Sequence, residues 1–353
     1  MTDTVVTRLA SHLVAAREAA QTSDTVFHAA ERLILDTLGC GLGAVNATPV
    51  VAARAWAAKS IGKPPVTILG TDDKSSVTGA VLANTTMIRH LDMNDCDWSR
   101  DPAHPSDGIP AALAVAEAEG ATPVDCLFGI LASYEIQMRS NEFTKVSYFK
   151  ITGWDHTTFL TVATAASAGM ILKLDATRLA HALAIAASFP VTGELRVGQI
   201  SMMKAASAGL AASRGVEAAY LAAGGVTGPL AAFEGKRGLS KLALGECDWN
   251  VFDGPVKEWR LPRTCFKQYP AAYIIHSAID AALGLRKEHP FPPEDIDEVN
   301  VFGFGWLVED MVNGMGGKSR YDIDARETAD HSLPYCVAVA LAEGRYDFAQ
   351  LEQ

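Results

Sequence analysis

A chain of 353 residues, 49% hydrophobic and 20% charged, exceeds the size that one hydrophobic core usually serves, so two domains are expected. Its formal net charge of −11 argues against nucleic acid or an anionic membrane surface as a partner, and an anionic substrate would need a local basic pocket. Met1 to Ala10 lack a basic region followed by an apolar core, no apolar stretch nears the ~20 residues that span a bilayer, and Cys40, Cys96, Cys126, Cys247, Cys265 and Cys336 form no CxxC pair; a cytoplasmic protein with unbridged thiols is expected.

From Val5 to Gly39 apolar residues recur at helical spacing, as in Ala29, Leu33, Ile34 and Leu38, and the segment closes on Gly39, Gly41 and Gly43. Pro64 and Pro65 introduce a short strand from Val66 to Gly70, and helix resumes at about Ser76. Further helices are predicted over 109–119, 123–139, 157–172, 176–187 and 202–223, bounded by Gly, Pro, Asp or Thr and rich in the alanine that lets helices pack closely. Between Trp249 and Pro262 the composition turns to Trp, Pro and charge, which suggests a domain boundary near 255. The fold expected is therefore mainly α. A large all-helical domain over 1–255 is followed by a smaller α/β lid over 256–353, with a helix over 271–286, a strand over 296–304 and a helix over 332–343. One strand is too few to close a sheet comfortably.

Gly39-Cys40-Gly41-Leu42-Gly43-Ala44 matches a dinucleotide fingerprint on paper. A helix precedes it, however, and Pro64 and Pro65 stand where an acid should follow, so it reads as a helix stop with close packing. His90-Leu91-Asp92-Met93-Asn94-Asp95-Cys96-Asp97 crowds acids, an amide and an imidazole together. It fails as a calcium loop because Cys96, Asp97 and Ala103 occupy the fifth, sixth and twelfth positions. His104-Pro105-Ser106-Asp107-Gly108 supplies a turn that could hold an imidazole beside those acids, a proton-transfer arrangement; the plainer alternative is a solvated, helix-capping loop. Gly153-Trp154-Asp155-His156-Thr157-Thr158 opens a helix whose free amides favour an anion; alternatively Asp155 or Thr157 is only a cap and His156 a structural residue. Lys204 and Lys267 lie in apolar surroundings, either snorkelling to solvent or holding substrate carboxylates. His12, His28, His181 and His289 read as surface or packing residues. No zinc or iron–sulfur spacing is present, so no metal and no cofactor is expected.

Taken in order, Leu38-Gly39-Cys40, Ile68-Leu69-Gly70-Thr71, the 90–95 run, His104-Pro105-Ser106, Trp154-Asp155-His156, Thr227-Gly228-Pro229, Phe233-Glu234-Gly235, Lys267-Gln268-Tyr269-Pro270 and Ala329-Asp330-His331-Ser332-Leu333-Pro334-Tyr335 resemble the MmgE/PrpD family. That family contains 2-methylcitrate dehydratase, cis-aconitate decarboxylase and an iminodisuccinate epimerase. The resemblance implies a homodimer in which Asp92, His104, His156, Lys204 and Lys267 fall on active-site positions. It further implies a cofactor-free hydro-lyase of propionate metabolism that dehydrates a 2-methylcitrate-like tricarboxylic acid, since Gly153-Trp154-Asp155-His156 is closer to the dehydratase branch. In this reading Asp92 and His104 are a proton-transfer pair with His104 as acid, His156 is the base, and Lys204 and Lys267 hold carboxylates, so replacing either lysine should impair turnover more than folding. Cys96 departs from a common threonine, and Ala272 from a histidine of some decarboxylases. Members of the family are longer at the C-terminus, where the lid is completed, so the resemblance implies a lid incomplete at its C-terminus. A decarboxylase, an amino-dicarboxylate epimerase and an inactive truncated relative are the alternatives.

Overall fold

The computed structural model describes residues 3–143, 153, 155–242 and 247–351. These fall into two compact units, one of Met1–His90, Asn94–Gly193 and Ala205–Phe266, the other of Leu91–Met93, Glu194–Lys204 and Lys267–Gln353.

Helices build the first unit: α1 (Val5–Glu18), α2 (Asp24–Gly43), α3 (Thr48–Ala57), α4 (Val77–His90), α5 (Ile109–Glu119), α6 (Pro123–Ser140), α7 (Thr157–Ile171), α8 (Ala176–Ala186) and α9 (Met203–Ala223). Their starts follow local chemistry. Thr122 and Asp125 form a reciprocal capping box before α6, and the Asp175 carboxylate accepts the Arg178 N–H at 2.8 Å before α8. Every residue of α7 is buried, as its Ala-rich sequence allows. Helix α9 comes so close to it that a Cβ on Gly215 would lie 2.0 Å from Thr164 Oγ1 and 2.2 Å from the Thr161 carbonyl.

Two details differ from the sequence expectation. The opening over 5–39 is broken in two, because Ala20 takes a left-handed φ of 46° and Ser23 caps a fresh helix by accepting the Val26 N–H. The new helix then runs through Gly39 and Gly41 to Gly43. Gly41 lies against α4, where a Cβ would meet Ile88 Cγ1 at 3.3 Å, so this glycine serves packing, whereas a Cβ on Gly39 would meet nothing within 4 Å. The strand expected at 66–70 is a two-residue β1 (Val66–Thr67) paired antiparallel with β2 (Lys74–Ser75) across a turn in which Gly70 has φ 70°. A second pair, β3 (Asp97–Trp98) with β4 (Pro102–Ala103), fixes the chain between the acidic run and His104.

The second unit contains α10 (His276–Glu288), α11 (Gly305–Met311), α12 (Arg326–Ala329) and α13 (Leu333–Glu343) around a core that includes Ile275, Ile279, Leu307, Met311, Leu333 and Val337. Here the expected α/β character is not met. Among the described residues, the segment 296–304 has no strand partner and the unit has no sheet. Ile296, Val299, Val301, Phe302 and Phe304 have strand-forming side chains, but a strand exists only through a ladder with a neighbour; Phe302 is 96% exposed. Among the described residues no single helix is long and apolar enough to cross a membrane.

Candidate functional site

In the second unit, Asp92, Lys204, Lys267, Asp330 and His331 meet in one buried cluster. Asp92 follows the last turn of α4 with a left-handed φ of 52°, a conformation that costs an L-residue about 1–2 kcal/mol and that aspartate tolerates better than most. Lys267 pins it there: Nζ donates to the Asp92 carbonyl at 2.8 Å and to the Ala271 carbonyl at 3.0 Å, and lies 3.1 Å from Asp92 Oδ1. Lys204, in the first turn of α9, donates to both oxygens of Asp330 at 2.8 Å and stands 3.6 Å from Asp92 Oδ2. Neither lysine snorkels, since their residues are only 2% and 6% exposed.

Asp330 ends the turn begun by Arg326, whose guanidinium is 3.2 Å from Asp330 Oδ2 and also donates to the Leu91 carbonyl. Burial alone would raise the Asp330 carboxyl, but the charge of Lys204 and the hydrogen bond to His331 outweigh it and hold the group below the usual carboxylate range. His331 Nδ1 lies 2.5 Å from Asp330 Oδ1, 3.2 Å from Lys204 Nζ and 3.9 Å from Asp92 Oδ2. Burial, reinforced by the Lys204 charge, pushes this imidazole down to about 4, so it is neutral at pH 7. Three cations, Lys204, Lys267 and Arg326, therefore face two carboxylates, Asp92 and Asp330. The surplus of one positive charge suits a small anion. Asp92, Asp330 and His331 are also close enough together to ligate a metal. The Lys204 ammonium, however, already supplies the cation between the two acids.

The other two predicted residues, His104 and His156, come together in the first unit, their rings 5.6 Å apart in an edge-on arrangement. His104 Nδ1 is 2.8 Å from the Asp95 carbonyl, so that nitrogen carries the proton and Nε2 faces away from the bond. Asp95 organises the turn. Its carboxylate accepts the Ser106 N–H at 2.9 Å and the Tyr134 hydroxyl at 2.7 Å, while the Asn94 amide bridges Ser106 Oγ and Asp107 Oδ1. Burial pushes the Asp95 carboxyl up to about 6 despite these bonds. Asp155 accepts the backbone N–H and the hydroxyl of Thr157 and lies 3.2 Å from His156 Nδ1. A carboxylate of the chain itself thus bonds the first residue of α7. Trp154 lies outside the described residues.

Asp330 and His331 were visible in the Asp330-His331-Ser332 motif, but their function was not. The one local signal was an Asp-His dipeptide directly before the Ser332 cap, whose Oγ accepts the Tyr335 N–H.

Buried acids, ammonium groups and imidazoles that perturb one another are equipment for acid–base chemistry on a small polar molecule. The chain belongs to the MmgE/PrpD family: the MmgE/PrpD N-terminal domain matches residues 7–251 and the MmgE/PrpD C-terminal domain residues 269–353. It is 28% identical to the 2-methylcitrate dehydratase of Salmonella typhi over 94% of this chain and 70% of that enzyme. It is also 28% identical to the cis-aconitate decarboxylase of Homo sapiens, over 75% of this chain and 56% of that enzyme. An alkylcitrate dehydratase from a fungus is 25% identical over 91% of this chain and 66% of its own length.

Proposed function

We propose that the protein is a lyase that eliminates water from a 2-methylcitrate-like tricarboxylic acid. The supporting observation is the buried cluster around Asp92, with its surplus positive charge and neutral imidazole; relatives named 2-methylcitrate dehydratase add to it. Elimination takes a proton from carbon beside a carboxylate and gives one to the departing hydroxyl, while the carboxylates and the enolate-like charge need cations. Lys204 and Lys267 provide the positive field, and Asp92, His104 and His156 are the proton-transfer groups. No metal or organic cofactor enters this reading. An exposed apolar stripe on α2 (Phe27, Leu35, Leu42), with Trp56 on α3, supports assembly as a homodimer.

The test is to incubate the protein separately with 2-methylcitrate, citrate, cis-aconitate and iminodisuccinate and to follow each by NMR. Consumption of 2-methylcitrate with appearance of an olefinic product is expected. Carbon dioxide release from cis-aconitate would instead favour the decarboxylase reading, and no change in any of the four would end the enzymatic one.

A further inference from the structure

The second unit holds two buried or half-buried imidazoles beside the Asp92 cluster, and they use their nitrogens differently. His276 Nε2 contacts the Ala271 carbonyl at 3.3 Å. His331 has only Nδ1 engaged. At 2.5 Å from Asp330 Oδ1, that nitrogen must carry the single proton of the neutral ring, since two lone pairs would repel at such a distance. Nε2 then bears the lone pair. It has no hydrogen-bond partner among the described residues, and 11% of the side chain is open to solvent.

We infer that His331, oriented by Asp330, is the general base that takes the carbon-bound proton in the elimination, an inference that rests on the lyase reading above. The proton moves from carbon to Nε2, and the C–H electron pair becomes the new double bond as the C–O bond breaks. The hydroxyl leaves as water with a proton from a separate acid, so no oxidant or reductant is required. The imidazolium formed is compensated by Asp330 through the Nδ1–H contact, which is how a buried carboxylate both fixes a tautomer and stabilises the charged ring. Burial, reinforced by the Lys204 charge, keeps the ring neutral before substrate arrives, and the negative charge of a tricarboxylate beside it then raises its basicity.

His331→Asn tests this, because the asparagine amide can keep the donor to Asp330 while removing Nε2. On 2-methylcitrate, or whichever of the four acids the parent consumes, kcat should fall by about a hundredfold or more. KM should stay within about threefold and the thermal midpoint within a few degrees of the parent. A merely structural role would move the midpoint and spare kcat in the folded fraction. Independently of turnover, 15N NMR of histidine-labelled parent protein at pH 7, with His331 assigned by its disappearance in the variant, should show the proton on Nδ1. Parent-like kcat in His331→Asn, or a proton on Nε2, overturns the assignment while leaving the lyase reading intact. A parent that consumes none of the four acids defeats the lyase reading itself, and the base assignment with it.

Discussion

The Lys204 ammonium sits 2.8 Å from each carboxylate oxygen of Asp330, a residue 126 positions away in the chain, with both side chains almost entirely out of water. A buried charge that loses its partner costs far more than an exposed one, because neither water nor another cation replaces the lost contact. Lys204→Ala is therefore expected to destabilise the protein by about 3–5 kcal/mol as well as to lower turnover, which replaces the sequence expectation that folding would be spared. Adding Asp330→Asn should recover part of the loss. A urea-melt double-mutant cycle reads the coupling, and additive effects of the two substitutions would show that the pair is not coupled.

The same ammonium decides the metal question. Asp92, Asp330 and His331 could ligate a divalent ion only if Lys204 gave up its place between the acids. Dialysis against a chelator should thus leave both the thermal midpoint and the rate on the best substrate unchanged. A loss restored by one added metal would point to displacement of Lys204 as part of the working enzyme.

Much of this was legible along the chain. The helices at 109–119 and 176–186 announced themselves through apolar spacing and through Pro110 or the Asp175 cap, all local signals. The break at Ala20 was not, because alanine is a good helix former and nothing in its side chain announces a left-handed φ. Likewise the apolar run at 296–304 has the composition of a strand, but pairing is a property of two segments, and among the described residues no second strand lies beside it. Site residues followed the same rule. Asp92, Lys204 and Lys267 were singled out by the acidic run, by apolar surroundings and by resemblance, whereas the contacts of Asp330 and His331 with Lys204 follow from no local pattern.

His276 gives a pH prediction with a definite sign. Burial, with the nearby Lys267 charge, lowers its imidazole to about 4, against about 6.5 in the unfolded chain. A histidine kept neutral by the fold binds its proton first in the unfolded state, so stability is lost as pH falls from about 6.5 towards 4. His276→Gln removes this penalty. Relative to the parent, the variant should gain up to about 2 kcal/mol between pH 7 and pH 4, allowing for partial solvent screening. Urea melts at both pH values measure it; a stability difference that does not change with pH would mean that His276 titrates normally in the fold.

For His104 the geometry separates orientation from chemistry. Its Nδ1–H is bonded to the Asp95 carbonyl at 2.8 Å, and Asp95 is itself fixed by Ser106 and Tyr134, so the ring's orientation comes through one nitrogen and its reactivity through the other. His104→Asn can preserve the first and delete the second, whereas His104→Gln places an amide nearer Nε2 and gives up the bond to Asp95. If His104 transfers a proton, both variants should lose about a hundredfold or more in kcat. Only His104→Gln should also lower the thermal midpoint, because a buried carbonyl without its donor costs about 1–3 kcal/mol. With His331 as the base, a bell-shaped profile of kcat/KM against pH should lose the limb set by the acid in His104→Asn if His104 protonates the leaving hydroxyl, and keep the limb set by the base. Were His104→Asn to keep the full bell at parent rates, His104 would be a structural residue of the turn, held there by Asp95 and not a carrier of the proton.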